Sequence, residues 1–353
     1  LVPAVLAMSC QAQSLPPLPA LNVDIAETSV SGISSGGFMA GQFQVAHSSI
    51  VKGAGIIASG PYYCAQGDVG RATTKCSCTA DPLHQLCAVS PTSADVPALE
   101  AATRSFADRK LIDGVDNLAR QKVAIVSGGK DGVVPGPVID QLADFYGRFA
   151  VPAQNIQRTR LANAGHTMPT MAYGNDCSVS DSPYIGKCKD EGAKDVLSWI
   201  YGPLAAPAAK PTGRFIQFDQ SRYVPKPSSF LWSTGMDSSG WIYLPAACEK
   251  GESCRLHVAF HGCRQGQSYI PLHPTPDGGL YYGTTFVRHA GYDTWADNNH
   301  IVVLFPQAVS VPGINPNGCW DWWGYTTADY ATRDGVQVAA IRAMVDRIAS
   351  GKH

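Results

Sequence analysis

Three residues in this chain have the types and order needed for nucleophilic acyl transfer. Ser34 lies in Gly32-Ile33-Ser34-Ser35-Gly36, a G-x-S-x-G box between an apolar run and a segment rich in small residues. A serine hydroxyl is a weak nucleophile at neutral pH. It needs a base in contact and a third group to orient that base. Asp131, in Gly128-Gly129-Lys130-Asp131-Gly132, follows the apolar run Val123-Ala124-Ile125-Val126-Ser127 and is the candidate orienting carboxylate. His166, in Asn163-Ala164-Gly165-His166-Thr167, sits on a later loop and is the candidate base. Each has a bland alternative: a glycine-rich turn, an Asp-Gly turn and a buried structural histidine. The setting of the box and the order serine, aspartate, histidine favour catalysis.

A tetrahedral intermediate also needs two N–H donors for its oxyanion. The Ser35 amide, next to the nucleophile, is the first candidate. The second is expected from the turn after Leu256-His257-Val258-Ala259-Phe260, in His261-Gly262-Cys263, with Cys263 the preferred donor. His261 reads as structural, holding that turn. In an α/β-hydrolase such a strand precedes the nucleophile. Here it follows Ser34 by more than two hundred residues. The expected fold is therefore a circularly permuted α/β-hydrolase, with a mostly parallel central sheet flanked by helices.

The elements needed to position these residues can be read along the chain. A strand over 25–34 ends in the box, and a helix over 36–48 follows it. Further strands are predicted at 54–60, 123–128, 215–218, 240–244, 256–260 and 301–306. Helices are predicted over 189–201, 282–298 and 333–348. The stretch Gly202-Pro203-Leu204-Ala205-Ala206-Pro207 through Gly213 is a linker by composition. It is expected near 203–213 as a permutation linker, joining two halves of one catalytic domain over 13–353. The last helix would then lead back towards residue 22. No repeat and no separate substrate-binding domain is evident.

Composition narrows the partners. The 353 residues carry a net charge of -1 and no Lys/Arg run, which disfavours nucleic acid and anionic membrane surfaces. No internal apolar run is long enough to span a bilayer. Eleven cysteines are present without zinc-ligand spacing, so disulfides in a secreted, extracellular or periplasmic protein are expected. Leu1-Val2-Pro3-Ala4-Val5-Leu6-Ala7-Met8 resembles the end of a signal-peptide apolar region, so 1–12 is expected to be a signal-peptide remnant. Removing Cys10 leaves ten cysteines. Close spacing pairs Cys177 with Cys188 and Cys248 with Cys254. Cys263 is expected to pair with Cys319. Cys64, Cys76, Cys78 and Cys87 form two more bridges, in any of three connectivities.

The chain resembles extracellular poly(3-hydroxybutyrate) (PHB) depolymerases, especially the single-domain, circularly permuted fungal type. The resemblance rests on the serine box through Gly37, Lys130-Asp131-Gly132, Ala164-Gly165-His166 and Phe260-His261-Gly262-Cys263. Gly291-Tyr292-Asp293-Thr294-Trp295-Ala296-Asp297 and Asn317-Gly318-Cys319-Trp320-Asp321-Trp322-Trp323-Gly324 extend it across nearly the whole chain. It implies a serine hydrolase that cleaves PHB and its oligomers through an acyl-enzyme, with no metal or organic cofactor. It also implies that Trp320 binds substrate beside the scissile ester, core packing being the alternative for Trp320, Trp322 and Trp323. The partner is a polyester or oligoester substrate, and a monomer is expected. A feruloyl or acetyl-xylan esterase is the second reading, since those enzymes share the His-Gly-Cys turn.

Overall fold

The apolar runs on both sides of the 203–213 linker enter one eight-stranded sheet. The computed structural model describes residues 14–79, 86–208, 210–226, 233–275 and 279–351. The expected signal-peptide remnant, with Cys10, lies outside them. The strands are β1 (Thr28–Ile33), β2 (Val51–Ile57), β3 (Lys122–Gly128), β4 (Ile156–Leu161), β5 (Met168–Thr170), β6 (Asn175–Asp176), β7 (Ile185–Lys187), β8 (Arg214–Asp219), β9 (Ser239–Leu244), β10 (Arg255–Phe260) and β11 (Ile301–Phe305). The helices are α1 (Ser35–Ala46), α2 (Val69–Thr74), α3 (Val96–Asp108), α4 (Gly136–Arg148), α5 (Gly192–Tyr201), α6 (Ala246–Glu249), α7 (Thr285–His289), α8 (Tyr292–Ala296) and α9 (Val336–Ala349).

The main sheet runs β4-β3-β2-β1-β10-β11-β9-β8, and β5, β7 and β6 form a small second sheet. All neighbours from β4 to β11 are parallel, while β9 runs antiparallel to both β11 and β8. If the chain were counted from Arg214, the strands would read 1-2-4-3-5-6-7-8 across the sheet. That is the α/β-hydrolase arrangement in permuted order, with the serine after the fifth strand. β1 and β10, distant in sequence, are direct neighbours, with Ser29 opposite His257 and Gly32 opposite Phe260.

Strand alternation divides the core between the two faces of the sheet. On β11, Val302 and Leu304 join one apolar cluster with Phe43 of α1, Phe145 of α4 and Met344 of α9. Ile301, Val303 and Phe305 join the other, with Leu197 of α5 and Phe286 of α7. All five β11 side chains are fully buried. Each such side chain contributes about 1.5–3 kcal/mol relative to exposure. A strand buried on both faces reads as a continuous apolar run, as β11 does.

The linker is docked rather than loose. The Asp297 carboxylate accepts the amides of Thr212 at 2.8 Å and Gly213 at 2.9 Å, and the Tyr243 hydroxyl at 2.9 Å. Asn299 accepts the Ala205 amide at 2.8 Å, and Asn298 donates to the Ala206 carbonyl at 2.9 Å. Elsewhere the Leu21 amide donates to the Ile348 carbonyl at 2.7 Å, so the end of α9 abuts the segment that leads into β1.

Several elements differ from expectation. The helix expected over 282–298 is broken into α7, α8 and a short 3₁₀ turn, because Gly291 takes φ +87° between the first two. The last helix begins at Val336 rather than at Arg333. Helices α3 and α4 were not anticipated, although Pro97 and Pro137 in their first turns mark both starts. Ten cysteines pair as Cys64–Cys76, Cys78–Cys87, Cys177–Cys188, Cys248–Cys254 and Cys263–Cys319. The structure thereby selects one of the three connectivities left open.

Candidate active site

Ser34 occupies a sharp turn between β1 and α1, with φ 56° and ψ -125°. From Thr28 to Ser48 it is the single residue that is not buried. Its amide donates to the Ile57 carbonyl at 3.0 Å, which ties the turn to the end of β2. The glycines of the box permit the tight geometry. A Cβ at Gly32 would overlap the carbonyl of Gly36, and one at Gly36 would overlap the carbonyl of His261. The 12 residues of α1 point their N-terminal dipole at the serine, where negative charge would develop.

Asp131 and His166 are in contact at the same edge of the sheet, on the loops after β3 and β4. His166 Nδ1 lies 2.9 Å from Asp131 Oδ2, and both side chains are buried. The other carboxylate oxygen accepts the amides of Val133 at 2.8 Å and Val134 at 2.9 Å. An ionised carboxylate only accepts, so the histidine carries its proton on Nδ1. That leaves Nε2 free to act as a base. The two loops are stitched by the Lys130 amide to the Ala164 carbonyl at 2.8 Å. Ser180 accepts the His166 amide at 2.8 Å from the segment held by the Cys177–Cys188 bridge.

The turn after β10 lies against the serine box. A Cβ at Gly262 would stand 3.4 Å from Ser34 Cβ. Among the described residues, the amides of Ser35 and Cys263 have no backbone acceptor. Both therefore remain the candidate oxyanion donors. The neighbouring Gly262 amide is occupied, donating to Gln265 Oε1 at 2.6 Å. His261 is wholly buried, and burial lowers its pKa from 6.5 to about 4. Its Nε2 accepts the Ala308 amide at 3.0 Å, so Nδ1–H donates to the Gly262 carbonyl at 2.7 Å. Both ring nitrogens are engaged in holding the turn.

Trp320 departs from the substrate-binding role implied by resemblance. It has no exposed surface. Its indole N–H donates to the His261 carbonyl at 2.9 Å, and its ring meets Phe260 edge-on at 5.2 Å. A face already packed in the core offers a substrate nothing to lie against. Trp322 is also buried and stacks on Phe38, whereas Trp323 is half-buried.

The chain is 36% identical over 350 residues to the polyhydroxybutyrate depolymerase of Talaromyces funiculosus, covering 95% of this chain and 93% of that protein. The chain belongs to the PHB depolymerase family. It is 41% identical over 339 residues to the poly(3-hydroxybutyrate) depolymerase of Delftia acidovorans, which covers 95% of this chain but 62% of that protein's length. Two solved structures superpose with a TM-score of 0.80, at 36% identity, over 96% of this chain and 100% of theirs. One is a PHB depolymerase from Penicillium funiculosum; the other is a serine-to-alanine PHB depolymerase complexed with an R3HB trimer. No family model matches the chain.

This member of the depolymerase family carries a polar chain beneath its nucleophile strand. Ser29 and Ser31 of β1 lie 2.7 Å from the two ring nitrogens of His257, Nδ1 and Nε2 respectively. Ser29 also meets the Tyr201 hydroxyl at 2.7 Å, and Ser31 meets that of Tyr292 at 2.6 Å. One end sets every direction. The Tyr201 hydroxyl donates to the Glu27 carbonyl at 2.8 Å, so it must accept from Ser29. Ser29 has then used its proton and accepts from His257 Nδ1–H. Burial lowers the His257 pKa from 6.5 to about 3, so the ring is neutral and Nε2 accepts from Ser31. Ser31 in turn accepts from Tyr292. The chain ties β1 to β10, α5 and α8 and so couples the serine strand to the oxyanion strand. The sequence signal for it is Ser29 and Ser31 at alternate positions of a buried strand.

Proposed function

We propose that this chain is a secreted serine hydrolase that cleaves the ester bonds of poly(3-hydroxybutyrate) and its oligomers. The observation that carries this reading is the Asp131–His166 hydrogen bond, at the sheet edge where Ser34 is the one residue of the stretch from Thr28 to Ser48 that is not buried, in a chain of the PHB depolymerase family. The R3HB trimer in the similar solved structure supports an oligoester substrate.

Ser34 attacks the ester carbonyl carbon and passes its proton to His166 Nε2. Asp131 stabilises the imidazolium and fixes its tautomer. The Ser35 and Cys263 amides hold the oxyanion. Collapse breaks the C–O bond, and His166 returns the proton to the departing 3-hydroxyl. Water, deprotonated by the same base, then attacks the acyl-Ser34 ester and releases the acid. Trp320 acts at one remove, by holding the His261 carbonyl.

One polypeptide supplies every member of this constellation, so a monomer suffices. The shared sheet and docked linker support a single catalytic domain over 13–353. Five disulfides favour an oxidising compartment. Among the described residues no helix is long and apolar enough to cross a membrane. The test is Ser34→Ala, with clearing of a PHB film, release of ferulate from a feruloyl ester, and fluorophosphonate labelling. Film clearing and labelling should both vanish in the variant. A wild type that releases ferulate but leaves the film intact would overturn the substrate assignment.

A further inference from the structure

A polyester interior carries no charge, yet a cation stands directly after the proposed oxyanion donor. Arg264 follows Cys263 and is held with φ 63° by its amide, which donates to the Asn317 carbonyl at 2.7 Å. Its Nε donates to Asn317 Oδ1 at 3.0 Å, and its Nη1 lies 3.5 Å from the Tyr184 hydroxyl. Both partners are neutral. The side chain is half-buried and fixed in place, and no carboxylate pairs with it among the described residues.

Arg264 lines a shallow concavity with Ser182, Tyr184, Tyr269, Leu272 and His273. The Tyr184 ring stands edge-on to His166, with centroids 6.3 Å apart, so the concavity adjoins the proposed base. The Ser182 hydroxyl is shielded from solvent and has no hydrogen-bond partner. Asp181 shares the rim. It is exposed and accepts the Ser182 amide at 2.7 Å. The lining thus combines a guanidinium, an unsatisfied hydroxyl and apolar surface. An uncharged ester carbonyl could accept from either donor but would leave the guanidinium charge unpaired. A carboxylate with a short methyl-branched stem would use all three, because a guanidinium presents paired donors that match a carboxylate.

We propose that Arg264 and Ser182 form a subsite for the free carboxylate end of a 3-hydroxybutyrate oligomer. This rests on the hydrolase reading above and deepens it: the protein distinguishes chain ends from chain interiors. The carboxylate binds while the nearby ester lies over Ser34, and the methyl branch packs on Tyr269 and Leu272.

The experiment compares the 3-hydroxybutyrate trimer as free acid with its methyl ester. The wild type should show the lower KM on the free acid, and added salt should raise that KM alone. Arg264→Gln should raise the free-acid KM by about tenfold or more, well beyond its effect on the methyl ester. Arg264→Lys should restore part of the difference, and Asp181→Asn should lower the free-acid KM. Equal changes on the two substrates in Arg264→Gln would overturn the subsite while leaving the hydrolase reading intact. Failure of the wild type on both substrates would overturn both.

Discussion

The indole N–H of Trp320 donates to the carbonyl oxygen of His261 at 2.9 Å, and neither side chain reaches solvent. The Cys263–Cys319 bridge ties the same two segments together. The tryptophan loop therefore serves as a brace for the turn that offers the Cys263 amide. Trp320→Phe keeps the apolar ring and loses the donor. It should lower kcat on a soluble p-nitrophenyl ester and on polymer by similar factors. Trp320→Ala should also cost about 3–5 kcal/mol of stability, as loss of a fully buried ring does. Thermal melts beside kinetics on both substrates check this. A loss confined to polymer would mean that the indole contacts the substrate after all.

Asp131→Asn tests the tautomer. The asparagine oxygen can still accept the Val133 and Val134 amides, so the loop should keep its shape. Its amide nitrogen would then face His166 Nδ1 as a donor and favour the opposite tautomer. The expected outcome is a fall in kcat of about four powers of ten with an unchanged melting temperature. Near-normal turnover in a folded variant would remove Asp131 from the mechanism.

Three buried histidines should make the fold acid-labile. Burial, reinforced for His47 by Arg342, lowers the pKa of His47 and His261 to about 4 and that of His257 to about 3. The unfolded chain takes up these protons near pH 6.5, before the folded one does. The stability they contribute is therefore present above pH 6.5 and lost as pH falls towards 4 and then 3. Each site therefore favours the folded state less and less as pH falls through that window. Denaturant melts from pH 7 to pH 4 should show a steep decline. A flat profile would place these rings in contact with solvent.

Adsorption to solid polymer has apolar candidates in the segment that follows the Cys263 turn. Ile270, Leu272, Leu280 and Tyr281 are 56%, 86%, 71% and 51% exposed in the segment between the Cys263 turn and α7. Such patches mark interaction surfaces. Leu280→Ser with Ile270→Ser should weaken binding to PHB granules while leaving turnover of a soluble ester within about twofold, as surface substitutions usually do. Unchanged granule binding would assign adsorption elsewhere.

Local patterns along the chain carry the parts and their order. Ser34 and Asp131 are legible as candidates because each sits in a short loop directly after an apolar strand, and His166 because small and turn-forming residues flank it on a later loop; these patterns are local. The permutation is legible for the same reason: the His261-Gly262-Cys263 turn can be recognised wherever it falls in the chain. Cys177–Cys188 and Cys248–Cys254 follow from proximity along the chain. Tertiary structure decided what depends on non-local packing. Spacing leaves the choice among Cys64, Cys76, Cys78 and Cys87 open, because all four fall within one short segment. Trp320 has the same residue type whether it lines a crevice or braces a turn. Only the placement of Phe260 and the His261 carbonyl around it excludes solvent and selects the second role. Likewise, His257 becomes a neutral link between Ser29 and Ser31 only because β1 and β10, far apart in the chain, are neighbours in the sheet.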